Sequence, residues 1–133
     1  MSILLFPGNL VANQHDTKFL NDVDTTIYHI VSGGFWEHEG DHGSWRLIAR
    51  NLGWEHTKSY LYIQWLKADD EKQHIIELMT ISISEFNEGN WRNIIKLEYS
   101  DNSFLIQYTV RSKESIEKAI LVPGIPGKYK LTY

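Results

Sequence analysis

Residues 33–46 read GGFWEHEGDHGSWR, and two histidines, three carboxylates and two tryptophans share them with four glycines. Imidazole and carboxylate are suitable ligands for first-row metals. His38-x-x-x-His42 has the spacing of a helical metal pair, but Gly33, Gly34, Gly40 and Gly43 exclude a stable helix. In an extended strand, residues four apart lie about 13 Å from each other, too far to share one ion. Only a folded-back turn brings such groups together. A metal-dependent protein or enzyme would therefore rest on His38, Asp41, His42 and the nearby His56. The other chemistry in the stretch is aromatic. Trp36 and Trp45, with Tyr60 and Tyr62 further on, supply large rings that stack on ligands or partner proteins.

Catalytic signatures are otherwise lacking. There is no G-x-S-x-G nucleophile elbow, phosphate loop or dinucleotide fingerprint in the sequence. The remaining histidines, His15, His29 and His74, are scattered. His29 alternates with Ile27 and Val31, which predicts an inward, hydrogen-bonded core position. No base, nucleophile or ligand set has the mutual spacing that catalysis requires. We therefore expect a non-catalytic binding or interaction domain with an aromatic-rich surface or cavity formed by Trp36, Trp45, Tyr60 and Tyr62. The alternative is metal chemistry in the His38–His42–His56 region. The expected partner is a small apolar or aromatic-stacking ligand or another protein, and the aromatic face also suits a homo-oligomer. No cofactor is implied.

Composition narrows the classes further. The chain has 133 residues, 42% hydrophobic and 23% charged, an ordinary globular balance for one domain spanning 1–133. A net charge of −4 argues against nucleic acid and against an anionic membrane surface. Cysteine is absent, which removes disulfides, thiolate zinc sites and Cys nucleophiles. The N-terminal apolar patch Ile3–Phe6 has no basic flank and is broken by Pro7 and Gly8, so it does not read as a signal peptide. A cytoplasmic protein is the expectation.

The elements that must position these residues are strands. Period-two alternation dominates from residue 25 onward, and the aromatic content of 13% suits pleated, half-buried surfaces. In WRNIIKLEYS-DN-SFLIQYTVR (91–111), a turn at Asp101-Asn102 opposes Tyr99 with Phe104, Leu97 with Ile106 and Ile95 with Tyr108. In 57–84, a turn at Asp69–Lys72 opposes Trp65 with Ile76, Ile63 with Leu78 and Leu61 with Thr80, and leaves apolar residues on both faces. In the opening stretch, a turn at Gly40-Asp41 opposes Trp36 with Trp45. PGIPG (123–127) enforces a turn before a last short strand, KYKLTY. Residues 1–24 are the least legible and hold at most one short strand at Ile3–Phe6.

About eight strands with short connections predict an all-β antiparallel meander. A closed or partly open β-barrel is expected first, with a two-sheet β-sandwich as the alternative. Gly34-Phe35-Trp36 resembles the G-x-W near the first strand of the lipocalin-like and related calycin barrels. That resemblance implies a barrel and, in itself, assigns no residue a role. The chain departs from the calycin pattern in two ways. A turn follows Trp36 after only four residues, and near the C-terminus Lys128 and Lys130 stand where an arginine would pack on the tryptophan.

Overall fold

The computed structural model describes residues 23–133. The expected strand at Ile3–Phe6 lies outside them. Eight strands follow one another: β1 (Ile27–His38), β2 (Asp41–Leu52), β3 (Lys58–Asp69), β4 (His74–Ser82), β5 (Arg92–Ser100), β6 (Ser103–Val110), β7 (Ile116–Pro123) and β8 (Tyr129–Thr132). One short helix, α1 (Ser84–Asn87), joins β4 to β5. The all-β antiparallel meander is as expected, and of the two architectures the sandwich alternative fits rather than the barrel. Among the described residues the strands form two separate four-stranded sheets, β1-β2-β3-β4 and β5-β6-β7-β8, with no pairing that closes them into a cylinder. The chain leaves the first sheet through α1 before β5 begins, so β4 and β5 do not pair. At this crossover Asn87 continues the ladder on the β4 side of β3: Leu61 N–H donates to Asn87 Oδ1 at 2.6 Å, and Leu61 O accepts from Asn87 Nδ2 and from Ile83 N–H, both at 2.9 Å.

Both sheets contribute to one core. From β2 come Trp45, Leu47 and Ala49, and from β3 Leu61, Ile63 and Trp65, paired in register as Trp45↔Trp65, Leu47↔Ile63 and Ala49↔Leu61. Opposite them lie Phe104, Ile106, Tyr108 and Val110 of β6. Burial of this kind stabilises by about 1.5–3 kcal/mol per large apolar side chain. Arg92 enters the same core at 9% exposure. Its Nη1 donates to Phe86 O at 2.8 Å, and its guanidinium lies 5.1–5.5 Å from the ring centroids of Phe86, Tyr108 and Tyr133. The π-faces stabilise the buried cation.

Four β-bulges interrupt the ladders. A bulge inserts one extra residue and leaves it unpaired. At three of them the extra residue is Tyr28, Leu78 or Ile95, each apolar and exposed. The fourth contains Gly34-Phe35 opposite Ser44, with Gly34 at φ +80° and Phe35 exposed. These bulges correct the expected pairings. The β5–β6 turn is at Asp101-Asn102, both at positive φ, and Tyr99↔Phe104 and Leu97↔Ile106 are as expected. Beyond the bulge Ile94, not Ile95, opposes Tyr108. In the β3–β4 hairpin, Asp69 pairs with His74, so the loop is one residue later than expected, and Trp65 meets Met79 rather than Ile76.

The opposed behaviour of two neighbouring leucine-like residues tests this register. Leu97→Ala should cost about 2–4 kcal/mol, as truncation of a buried residue does. Ile95→Ala, at a bulge and 46% exposed, should stay within about 0.5 kcal/mol. Urea denaturation of the two variants measures both; equal losses would place Ile95 in the ladder and remove the bulge.

Candidate functional site

The stretch 33–46 folds as the β1–β2 hairpin, with its turn at Glu39-Gly40 rather than Gly40-Asp41: His38 pairs with Asp41, and both turn residues have positive φ. Together with the Gly34-Phe35 bulge, this shift means that Trp36 opposes Gly43 and Trp45 opposes Gly33. Small residues are needed there. A Cβ on Gly43 would sit 1.7 Å from the Leu66 carbonyl oxygen, and one on Gly33 would sit 2.5 Å from the Tyr99 ring. Both tryptophans are buried and their indoles are occupied. Trp36 Nε1 donates to Ser44 O at 3.0 Å and to Leu66 O at 3.2 Å, and Trp45 Nε1 donates to Gly124 O at 3.2 Å. Two of the four residues expected to line a binding surface therefore sit in the core. The other two, Tyr60 and Tyr62, lie half-buried on the outer face of β3, where Lys58 and Arg50 of the same sheet approach their rings at 5.1 and 5.9 Å.

The four expected metal-ligand positions do not converge. His38, Asp41 and His42 are at the β1–β2 turn, whereas His56 lies in the loop at the far end of β2, a strand of 12 residues. Such a strand is about 40 Å long. Asp41 is engaged with Lys67, Oδ1 to Nζ at 3.2 Å, and His38 Nε2 lies 3.6 Å from Glu39 Oε1. Asp41 and His42 line a cleft of about 470 Å³ with Lys67, Asp69, Asp70 and Glu71. Among the described residues no three His, Asp or Glu side chains are arranged to hold a metal. His29 shares the inner face of β1 with Val31 and is half-buried.

A different constellation forms at the other end of sheet one. Sequence patterning alone did not single it out, because its members come from three separated segments. The β2–β3 loop supplies Trp54, Glu55, His56 and Thr57; the start of β5 supplies Trp91 and Asn93; the end of β6 supplies Arg111. Gly53 makes the loop tight: at φ +112°, a Cβ there would sit 2.4 Å from His56 O. Trp91 and Arg111 flank the base of the β5–β6 hairpin, Arg111 N–H donating to Trp91 O at 3.0 Å. The Arg111 guanidinium lies 5.3 Å from the Trp91 ring centroid. Trp91 Nε1 donates to Thr57 O at 2.8 Å and fixes the indole against the other sheet's loop. Thr57 Oγ1 lies 3.5 Å from Asn93 Oδ1. The resulting cleft has a volume of about 240 Å³. Trp54, the residue before the cleft-lining Glu55, is 96% exposed. The one signal in the sequence was compositional: Trp54 stands in a Gly-containing turn, where no strand alternation accounts for an indole.

Perturbed ionisation lies elsewhere, at the C-terminal strand. Tyr129 donates to Glu85 Oε1 at 2.5 Å, and Tyr133 Oη donates to Glu85 O at 3.0 Å. Burial, then the hydrogen bond to Glu85 and its charge, push the Tyr129 phenol up to about 12. The same hydrogen bond holds the Glu85 carboxyl below its ordinary value. Burial raises the Tyr133 phenol too. No helix among the described residues is long and apolar enough to cross a membrane. Comparison with protein-family models, with curated proteins and with solved structures finds no match.

Two outcomes follow from these contacts. Trp36→Ala should destabilise by about 3–5 kcal/mol, as loss of a buried indole does. The double variant His38→Ala/His42→Ala should stay within about 1 kcal/mol and leave the metal content of the purified protein unchanged. A lost metal in that variant would restore the turn as a site. The Tyr129–Glu85 bond also makes stability depend on pH at both extremes. A raised phenol contributes stability fully below its unfolded value, near 10, and loses it as pH rises towards about 12. A lowered carboxyl contributes above its unfolded value and loses that contribution as pH falls through the lowered one. The stability difference between wild type and Tyr129→Phe, measured by urea midpoints, should hold steady near neutral pH and shrink at both ends. A difference independent of pH would mean that only the ring's burial matters.

Proposed function

We propose that the chain is a non-catalytic binding domain whose ligand surface is the Trp54–Trp91–Arg111 end of the sandwich. The observation that carries this is Trp54. Its indole is the most exposed large hydrophobic side chain among the described residues, and tryptophan supplies a wide rigid surface for stacking. Next to it in the chain, Glu55 and His56 line a cleft with Asn93, Trp91 and Arg111, and the Trp91–Thr57 hydrogen bond joins its two walls. The binding surface expected from Trp36, Trp45, Tyr60 and Tyr62 moves, in this proposal, to two other tryptophans. Their rings remain accessible while the first pair supports the core. Catalysis is the weaker proposal because no metal-ligand set converges among the described residues.

The experiment is a small-probe screen by two-dimensional NMR of the whole chain, using aromatic amines, short peptides and soluble saccharides. Five tryptophans give five indole N–H signals. Probes that bind should move the Trp54 and Trp91 signals and leave Trp36, Trp45 and Trp65 in place. A screen in which no probe moves Trp54 or Trp91, or in which every hit maps to the β1–β2 turn, would overturn the proposal.

A further inference from the structure

We infer that the cleft between the β2–β3 loop and the base of the β5–β6 hairpin, extended by Trp54, binds a neutral β-linked pyranose glycan. This rests on the binding surface proposed above and names the class of ligand it takes.

The size of the cleft comes first. At about 240 Å³ it is smaller than the roughly 300–1,000 Å³ typical of pockets for drug-sized molecules. It has room for one ring. The indole of Trp54 lies in the loop segment next to the cleft-lining Glu55 and is almost wholly exposed, so a ligand that uses both must be extended, with one unit inside and another across the indole.

The lining chemistry comes next. Glu55 offers only acceptors and Arg111 only donors; Asn93 offers both, and the Thr57 hydroxyl, which donates to Asn93 Oδ1, offers its lone pairs. A pyranose presents hydroxyls that donate and accept, so it can satisfy all of these at once. Glu55 and Arg111 also balance in charge. A phosphate or carboxylate ligand would meet Glu55 as a like charge, and a cationic one would meet Arg111. Trp91 is not free to offer its N–H, which Thr57 O already takes, and Arg111 occupies one of its faces. It serves as a fixed wall. Trp54 makes no hydrogen bond among the described residues and presents an open face.

The linkage follows from the shape of that platform. A flat indole stacks best on a flat apolar surface. β-Linked pyranoses with equatorial substituents expose their C–H bonds on both ring faces and run as a ribbon, so successive rings can meet the cleft and the platform together. An open-chain polyol has the same hydroxyls but no such face.

The test is titration of the whole chain with cellotetraose, with sorbitol as the open-chain control, read by indole N–H shifts and by calorimetry. Cellotetraose should move Trp54 and Trp91 saturably and leave the three core indoles unmoved; sorbitol should move none. Trp54→Ala should weaken binding roughly tenfold, and Arg111→Ala comparably. Because Trp54 is exposed, its variant should keep the core indole signals of the wild type, which separates lost binding from lost folding. If aromatic or peptide probes move Trp54 and Trp91 while cellotetraose does not, or if sorbitol matches cellotetraose, the glycan assignment falls and the binding surface stands. If no probe moves either indole, both fall.

Discussion

A single carbonyl, that of Gly124, accepts two indole N–H groups from the opposite sheet, Trp45 at 3.2 Å and Trp65 at 2.9 Å. Trp45 and Trp65 are cross-strand neighbours on the inner face of the first sheet, so they reach the same point together. The acceptor lies in the β7–β8 turn, which Pro123 and the hydrogen bond from Gly124 N–H to Lys128 O hold in shape. Two large rings can be fully desolvated here because the turn supplies the partner that a buried N–H requires. The arrangement ties β2 and β3 of the first sheet to the β7–β8 turn of the second. Each such bond contributes on the order of 1 kcal/mol net, but leaving either N–H unpaired would cost more than the bond provides.

The other end of the sandwich uses the same device with a different result. Trp91 Nε1 bonds Thr57 O and Ser59 Oγ accepts from Ile94 N–H, so the β2–β3 loop is fastened to β5. There the indole stays at the rim rather than in the core, and its fastening leaves a cleft in place of a packed interior. The rigid elements come from backbone carbonyls that accept indole N–H groups at both ends, while Trp54 is left without such an acceptor.

Strand identity, strand number and antiparallel order were all legible in the sequence, because alternation survives in most of each strand. Register was legible only in the β5–β6 hairpin, from its turn to its bulge; in β1–β2 and β3–β4 the turn itself lay one residue away from the expected place. Asp101-Asn102 fixed Tyr99 and Leu97 correctly, and the extra Ile95 then displaced everything beyond it. An apolar bulge residue looks like a continued strand, so Tyr28, Leu78 and Ile95 carried no warning. The choice between barrel and sandwich was hidden for another reason: strand alternation is the same in both, and what separates them is whether β4 pairs with β5 across α1. For the site, the Trp36 and Trp45 aromatics were visible but their burial was not. Gly40 serves the turn, whereas Gly33, Gly34 and Gly43 are the clearance that the Trp45 and Tyr99 rings and the Leu66 carbonyl require.

The Gly124 acceptor also has a kinetic meaning. Every strand pairing within either sheet joins neighbours in sequence, so each hairpin closes a short loop. The indole bonds to Gly124 instead join residues 79 and 59 positions apart. Closing loops of that length costs chain entropy before any burial offsets it, and such non-local contacts slow folding. The pairings within each meander are local, and the docking of one upon the other, sealed by Trp45 and Trp65, is the step that loop closure disfavours.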